Sequence, residues 1–254
     1  MKRRIILTRP EEQSRAIASF LASESFWIWP AFQFSRPKNF DAVVKRLSRL
    51  EDVDALLLVS PAAVGFAKEA LPMIPKGLTV YAAGRATAAA IQSAWGANLN
   101  LIYPEGSTDK SGSEALFSLM EGKGFPRHLL ILRAQEGREW LAEKLTAQGA
   151  IVEKMCIYEK TPFFLDTHEK EVLLQALGEE TPVMLITSTD AVAVFERALS
   201  SLAGAIDWLK DGTVLTIHPR IQETLRKAGF RDVRMSATSD PENLAKVLSE
   251  ISLE

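Results

Sequence analysis

The sequence predicts an α/β fold: two similar parallel-sheet domains with a cleft between them. Three observations carry that expectation. Apolar runs of strand length alternate with amphipathic helical segments almost throughout, as parallel strand–helix–strand units require. The opening run Ile5-Ile6-Leu7-Thr8-Arg9 returns as Leu129-Leu130-Ile131-Leu132-Arg133, a shift of 124 residues from Arg9 to Arg133. Leu56 to Val64 returns as Met184 to Val192, with Ser60 and Ser188 separated by 128 residues, and Val80 to Arg85 is echoed by Leu215 to Arg220. A period of that length duplicates a domain, not a solenoid repeat. Paired domains hold ligands in the gap separating them.

The elements follow in order. Ile5 to Thr8 is a short buried strand, and Glu11 to Ala22 is a helix carrying Ile17, Phe20 and Leu21 at helical spacing. Phe26 to Pro30 is a second strand. Residues 31–38 contain Pro37, lose clear periodicity and read as a linker. Next come a helix (Phe40 to Leu50), a strand (Ala55 to Val59), a helix (Ala62 to Leu71), a strand (Leu78 to Ala83) and a helix (Ala86 to Trp95) closed by Gly96. Leu99 to Tyr103 is a strand, Gly112 to Met120 a helix and His128 to Leu132 a strand. Glu139 to Gln148 is a helix, and Ile151 to Tyr158 a long strand ending near a second linker at Pro162. The remainder repeats the alternation. Its helices are Glu169 to Leu177, Ala191 to Leu199, Ile221 to Ala228 and Glu242 to Ile251; its strands are Val183 to Thr187, Thr213 to Ile217 and Val233 to Ser236.

Linkers near 31–38 and 158–164 favour an insertion, with 1–34 and 164–254 forming one discontinuous domain and 35–163 the other. Two consecutive domains remain the alternative. Composition is that of a globular protein, 47% hydrophobic and 24% charged, with a net charge of −2 that offers no global basic field for nucleic acid or an anionic membrane. The single cysteine, Cys156, excludes a disulfide framework and suits a reducing cytoplasm. Met1-Lys2-Arg3-Arg4 is basic, but the apolar stretch after it is far too short for a signal peptide, and no run approaches a membrane span.

The strand-to-helix turns concentrate the candidate chemistry, because ligands of open parallel sheets sit beyond the carboxyl ends of the strands. The turns read Thr8-Arg9-Pro10, Ser60-Pro61-Ala62, Gly84-Arg85-Ala86-Thr87, Arg133 to Arg138, Ser188-Thr189-Asp190 and His218-Pro219-Arg220. Helix N-termini offer free N–H groups and partial positive charge to carboxylates or phosphates. With Arg9, Arg85, Arg133, Arg138 and Arg220 they suit a ligand bearing several anionic groups. Capping alone accounts for any single turn; recurrence in both halves points to a ligand.

Other chemistries find no support. There is no Walker-type loop and no G-x-G-x-x-G after a strand. His128, His168 and His218 lack ligand spacing, so no metal site is expected, and neither serine lies in a nucleophile elbow. Tyr158 stands apart: it closes a strand beside the second linker, where a phenol either donates a proton to a bound ligand or only hydrogen-bonds the hinge.

Taken in order, Ile-Leu-Thr-Arg-Pro (6–10), Val-Ser-Pro-Ala-Ala-Val (59–64), Ala-Ala-Gly-Arg-Ala-Thr-Ala (82–88), Leu-Arg-x-x-x-Gly-Arg-Glu-x-Leu (132–141), Tyr158 and Thr-Ser-x-x-Ala-Val (187–192) resemble the uroporphyrinogen-III synthase family. Each motif is short; the ordered set spans essentially the whole chain. The resemblance implies two flavodoxin-like domains joined by a two-stranded linker, which selects the insertion. It implies closure of hydroxymethylbilane to uroporphyrinogen III, with inversion of ring D and loss of water, in haem and sirohaem biosynthesis, using no cofactor or metal. It makes Tyr158 the candidate for assisting loss of the hydroxyl. It matches Ser60, Thr87, Ser188 and the turn at His218 to cleft positions that approach the side-chain carboxylates; with the other turn residues, Arg9, Ala62, Gly84, Arg85, Arg133, Gly137, Arg138, Thr189 and Arg220, these are the candidate substrate contacts. His218-Pro219-Arg220 stands where many relatives carry Gly-Pro-x-Thr, Arg85 replaces a common proline, and Val59 replaces a frequent threonine. A cytoplasmic monomer is expected, with the small-molecule substrate as its partner, a transient hand-off from hydroxymethylbilane synthase, and neither nucleic acid nor membrane bound. The rival reading is a non-catalytic two-domain protein that binds a polyanionic small molecule.

Overall fold

The structure is a computed structural model that describes residues 2–21, 26–105 and 112–254. The chain opens with β1 (Lys2–Leu7), α1 (Glu11–Ala18), β2 (Phe26–Ile28), β3 (Phe32–Ser35), α2 (Phe40–Leu47), β4 (Ala55–Leu58) and α3 (Pro61–Ala70). It continues through β5 (Thr79–Ala82), α4 (Arg85–Trp95), β6 (Asn100–Ile102), α5 (Ser113–Lys123), β7 (His128–Ala134), α6 (Trp140–Ala147) and β8 (Ile151–Pro162). The last part is α7 (Thr167–Ala176), β9 (Glu180–Leu185), α8 (Thr189–Leu199), α9 (Ala205–Asp211), β10 (Thr213–Thr216), α10 (Pro219–Lys227), β11 (Asp232–Met235) and α11 (Pro241–Leu253).

Two compact units result: Met1–Gln33 with Thr161–Glu254, and Phe34–Lys160. The first holds a five-stranded sheet ordered β11-β10-β9-β1-β2; the second holds a six-stranded sheet ordered β3-β8-β7-β4-β5-β6. The pairs β1–β2, β1–β9, β9–β10 and β10–β11 are parallel, as are β4–β5, β4–β7, β5–β6 and β7–β8. Counted from the duplicated openings β1 and β7, the first sheet runs second, first, third, fourth, fifth, and the second sheet has the same five-strand order with β3 added at its edge beside β8. The repeat seen in the sequence is therefore a repeat of topology, permuted in the second unit.

Burial explains the strand composition. Ala55 to Leu58 is an unbroken apolar run, and all four residues are buried because helices cover both faces of the sheet. Leu56 and Leu58 pack with Val43, Ala67 and Ile91 on one face, while Ala55 and Leu57 pack with Leu116 and Leu145 on the other. The first unit does the same. Ile6, Met184 and Val214 meet Phe195 and Leu225, and Ile5, Leu7 and Val183 meet Ile17 and Leu248. Each such side chain contributes about 1.5–3 kcal/mol when fully buried.

Three differences from the expectation have physical causes. Residues 32–35 form β3, not a linker: Phe32-Gln33-Phe34-Ser35 alternates half-buried and exposed positions with period two. The helix expected to Ala22 ends at Ala18, and Ala22 itself lies outside the described residues. Helix α9 was not expected, because its seven residues between Gly204 and Gly212 are too few to show periodicity. Among the described residues no helix is long and apolar enough to cross a membrane.

Candidate functional site

In an open parallel sheet, strand order reverses direction at one place, and the crevice outside the carboxyl ends there takes ligands. In the second unit that place lies between β7 and β4. Strand β4 ends at Leu58, and Val59-Ser60 then leads into α3. Ser60 is extended, with φ −158° and ψ 161°, and its Oγ accepts the Ala63 N–H at 3.1 Å while Pro61 fills the first helical position. Serine before proline dictates this start: the hydroxyl satisfies a free N–H, and the ring presets the helical φ.

Tyr158 comes from β8 and lies opposite Ala134, after a register irregularity between Arg133 and Ala134 in β7. Its phenolic oxygen is 3.1 Å from Ser60 Oγ. The ring stacks on Phe66 with centroids 5.8 Å apart and meets the edge of Phe34 at 5.6 Å. With the residue only 6% exposed, the ring cannot swing. A buried phenol whose oxygen reaches a crest hydroxyl is a fixed proton donor or acceptor.

Beside it lies a cavity of about 190 Å³, lined by Leu57, Leu116, Ile131 and Leu141 on its apolar wall and by Ser113, Arg133, Arg138 and Tyr158 on its polar one. Arg133 sits within β7, not in the turn after it, and is 7% exposed. Its Nη1 donates to Glu139 Oε1 at 2.9 Å, and Lys154 Nζ donates to Glu139 Oε2 at 2.8 Å. The Lys154 bond, followed by the charges of both cations, holds the Glu139 carboxyl below its ordinary value. Arg133 Nη2 is buried with no hydrogen-bond partner among the described residues. Gly137 covers it, and a β-carbon there would stand 2.5 Å from Nη2. Arg138 pairs with Glu114 at 2.5 Å and lies over the Trp140 ring at 5.5 Å.

The remaining candidates of this unit divide. Ala62 is half-buried in the first turn of α3, and Gly84 precedes α4 in extended backbone with open space around it. Arg85 is exposed, its Nη2 donating to the Glu105 carbonyl at 3.1 Å. Thr87 is 4% exposed and packs within α4, so its hydroxyl is not on the surface.

In the first unit the order reverses between β1 and β9. The Thr8 hydroxyl ties the two strand ends by donating to the Leu185 carbonyl. Arg9 follows; its Nη1 reaches the Ser239 carbonyl at 3.4 Å, and burial pushes its guanidinium below the ordinary arginine value. Ser188 stands before α8 but makes no capping bond with its hydroxyl, and Thr189 is the first helical residue. His218 caps α10: Nδ1 accepts the Arg220 N–H at 3.1 Å, which places the proton of the neutral ring on Nε2. The Arg220 side chain is exposed. The structure thus brings Ser60, Arg133, Gly137, Arg138 and Tyr158 to one crest, and Arg9, Ser188, Thr189, His218 and Arg220 to the carboxyl-end turns of the other sheet. Among the described residues no group of three or more histidine, cysteine, aspartate or glutamate side chains forms a metal site. Ser113 was not foreseen; only its place at the start of α5, after Gly112, could have marked it.

A family model described as uroporphyrinogen-III synthase HemD matches residues 22–246. Uroporphyrinogen-III synthase of Escherichia coli K12 is 27% identical over 254 residues, covering 96% of this chain and 99% of its own, and that of Salmonella typhimurium LT2 is 28% identical with the same coverage. Among solved structures, a mutant uroporphyrinogen III synthase from the extremely thermophilic bacterium Thermus thermophilus superposes with a TM-score of 0.63 at 16% identity, covering 98% of both chains. The Helicobacter pylori 26695 uroporphyrinogen-III synthetase gives 0.57 at 19% identity, covering 99% of this chain and all of its own. At those identities the structures speak for the fold alone.

Proposed function

The chain belongs to the uroporphyrinogen-III synthase family, and from that premise we infer that it is a cyclising hydro-lyase of tetrapyrrole biosynthesis. It closes hydroxymethylbilane to uroporphyrinogen III. The observation that carries the assignment of roles is the Tyr158 phenol, locked by Phe34 and Phe66 at the place where the sheet order reverses. The chemistry needs a proton for the departing hydroxyl, which leaves as water, and a cationic azafulvene remains. Tyr158 supplies that proton. The substituted carbon of the last pyrrole then attacks, the spiro intermediate fragments and recloses, and the proton lost on aromatisation returns to the phenolate. Holding the two ends for that attack is catalysis by proximity and orientation.

The substrate's acetate and propionate arms need fixed positive charge, which they share with carboxylates already in place: Arg138 pairs with Glu114, and Arg133 with Glu139 through Nη1 while its Nη2 has no partner among the described residues. Arg138, the N–H groups opening α5 and the guanidinium of Arg133 form the cationic side of the Tyr158 cavity, while its leucine wall suits methylene and pyrrole carbon. Gly84 and Arg85, at the end of β5 in the same unit, supply further donors for another arm; in the other unit the turns at Arg9, Ser188-Thr189 and His218-Arg220 are candidate anion-binding turns of their own sheet. No step calls on a cofactor. One cysteine in the chain supports a cytoplasmic setting; the chain acts there as a monomer that takes its substrate from hydroxymethylbilane synthase.

The test is product identity. Purified chain, freshly generated hydroxymethylbilane and a chelator, with no cofactor added, give the type III isomer on chromatographic separation. Type I alone, the unassisted closure product, overturns the proposal.

A further inference from the structure

Resting on the reading of Tyr158 as proton donor, we propose that Ser60 is its positioning residue, acting on the phenol rather than on the substrate. Two partners meet Ser60 Oγ among the described residues: the Ala63 N–H and the Tyr158 hydroxyl, both at 3.1 Å. An N–H can only donate, so one Ser60 lone pair is occupied by Ala63 and the hydroxyl proton remains to be placed. Tyr158 oxygen is the side-chain acceptor within reach. With Ser60 donating to it, the phenol's own proton is left undirected by the protein and available to the substrate. The reverse arrangement would spend that proton inside the protein.

The same direction favours the transfer itself. As the Tyr158 O–H bond breaks and charge builds on its oxygen, a donor already in place stabilises it without reorganising. Ser60 is in turn polarised by the Ala63 N–H at the N-terminus of α3, a ten-residue helix whose dipole favours negative charge there. The chain of bonds therefore runs from Ala63 N–H to Ser60 to Tyr158, each donating toward the reacting proton. Phe66, also on α3, stacks on the Tyr158 ring, so the helix that orients the serine also clamps the phenol.

Single-turnover and steady-state kinetics on the full chain with hydroxymethylbilane test this. Ser60→Ala lowers kcat by roughly ten- to a hundredfold, the range of one hydrogen bond to a charged group, and leaves KM within about twofold. Ser60→Thr, which keeps the hydroxyl, restores most of kcat. In a Tyr158→Phe background Ser60→Ala costs nothing further, because the group it serves is gone. A KM rise with kcat preserved, failure of threonine to rescue, or an undiminished effect of Ser60→Ala in that background each overturns the proposal. Should Ser60→Ala not fold, Ser60→Gly keeps the helix start at small cost and gives the same comparison. If instead Tyr158→Phe alone leaves kcat unchanged, it is the reading of Tyr158 that fails.

Discussion

The phenolic oxygen of Tyr158 and Oγ of Ser60 lie 3.1 Å apart, although 98 residues separate them in the chain and β7 runs between their strands in the sheet. The contact joins the second strand of the duplicated motif to the first turn of α3. β8 continues past the end of β7, and Tyr158 aligns with Ala134, the last residue of β7, after the register irregularity.

Arg138 is the exposed cation of the Tyr158 cavity, with its side chain 59% accessible. Replacing it with alanine should raise KM about three- to fivefold, the worth of one exposed ion pair, and leave kcat unchanged, because the contact serves ground and transition states alike. Steady-state kinetics checks this; an unchanged KM removes Arg138 from the site.

Gly137→Ala should destabilise the second unit. The new β-carbon meets Arg133 Nη2 at 2.5 Å. An arginine head is ordinarily free to retreat, but this one is 7% exposed and tied to Glu139. Crowding of that kind costs about 1–3 kcal/mol, which urea unfolding would read; equal midpoints for variant and native chain would show that the guanidinium gives way.

Acid should weaken the first unit through Glu180. Arg4 grips its carboxylate at 2.6 and 2.7 Å, and that bond, with the charges of Arg4 and Lys2, holds it below its ordinary value. A depressed carboxyl stabilises the fold above its unfolded pKa of about 4.3, and the contribution disappears as pH falls through the lower folded value. Urea midpoints measured from pH 6 downward should fall more steeply for the native chain than for Arg4→Gln. Parallel curves would contradict the linkage.

Much of this was legible before the fold was seen. Buried strands such as Ala55 to Leu58 declare themselves as unbroken apolar runs, and Ser60-Pro61 declares a helix start. Tyr158 was visible as a phenol on a strand near Pro162, although β8 runs on to Pro162 and so Tyr158 lies within the strand and does not close it. What stayed hidden depends on partners distant in sequence. Arg133 reads as a turn residue because a charge after an apolar run ordinarily marks the surface; it is buried because Glu139 neutralises it and Gly137 has no side chain to exclude it. Thr87 reads as part of a helix-capping turn, yet helical phase points it into the core. The Ser60–Tyr158 bond has no local signature, since strand order alone brings the two together.

Proton donation rests on the phenol of residue 158. Single-turnover consumption of hydroxymethylbilane by Tyr158→Phe should be slower by about a hundred- to ten-thousandfold, the span of general acid catalysis, while circular dichroism and the melting transition keep the native form. A Tyr158→Phe chain that turns over at the native rate would contradict it.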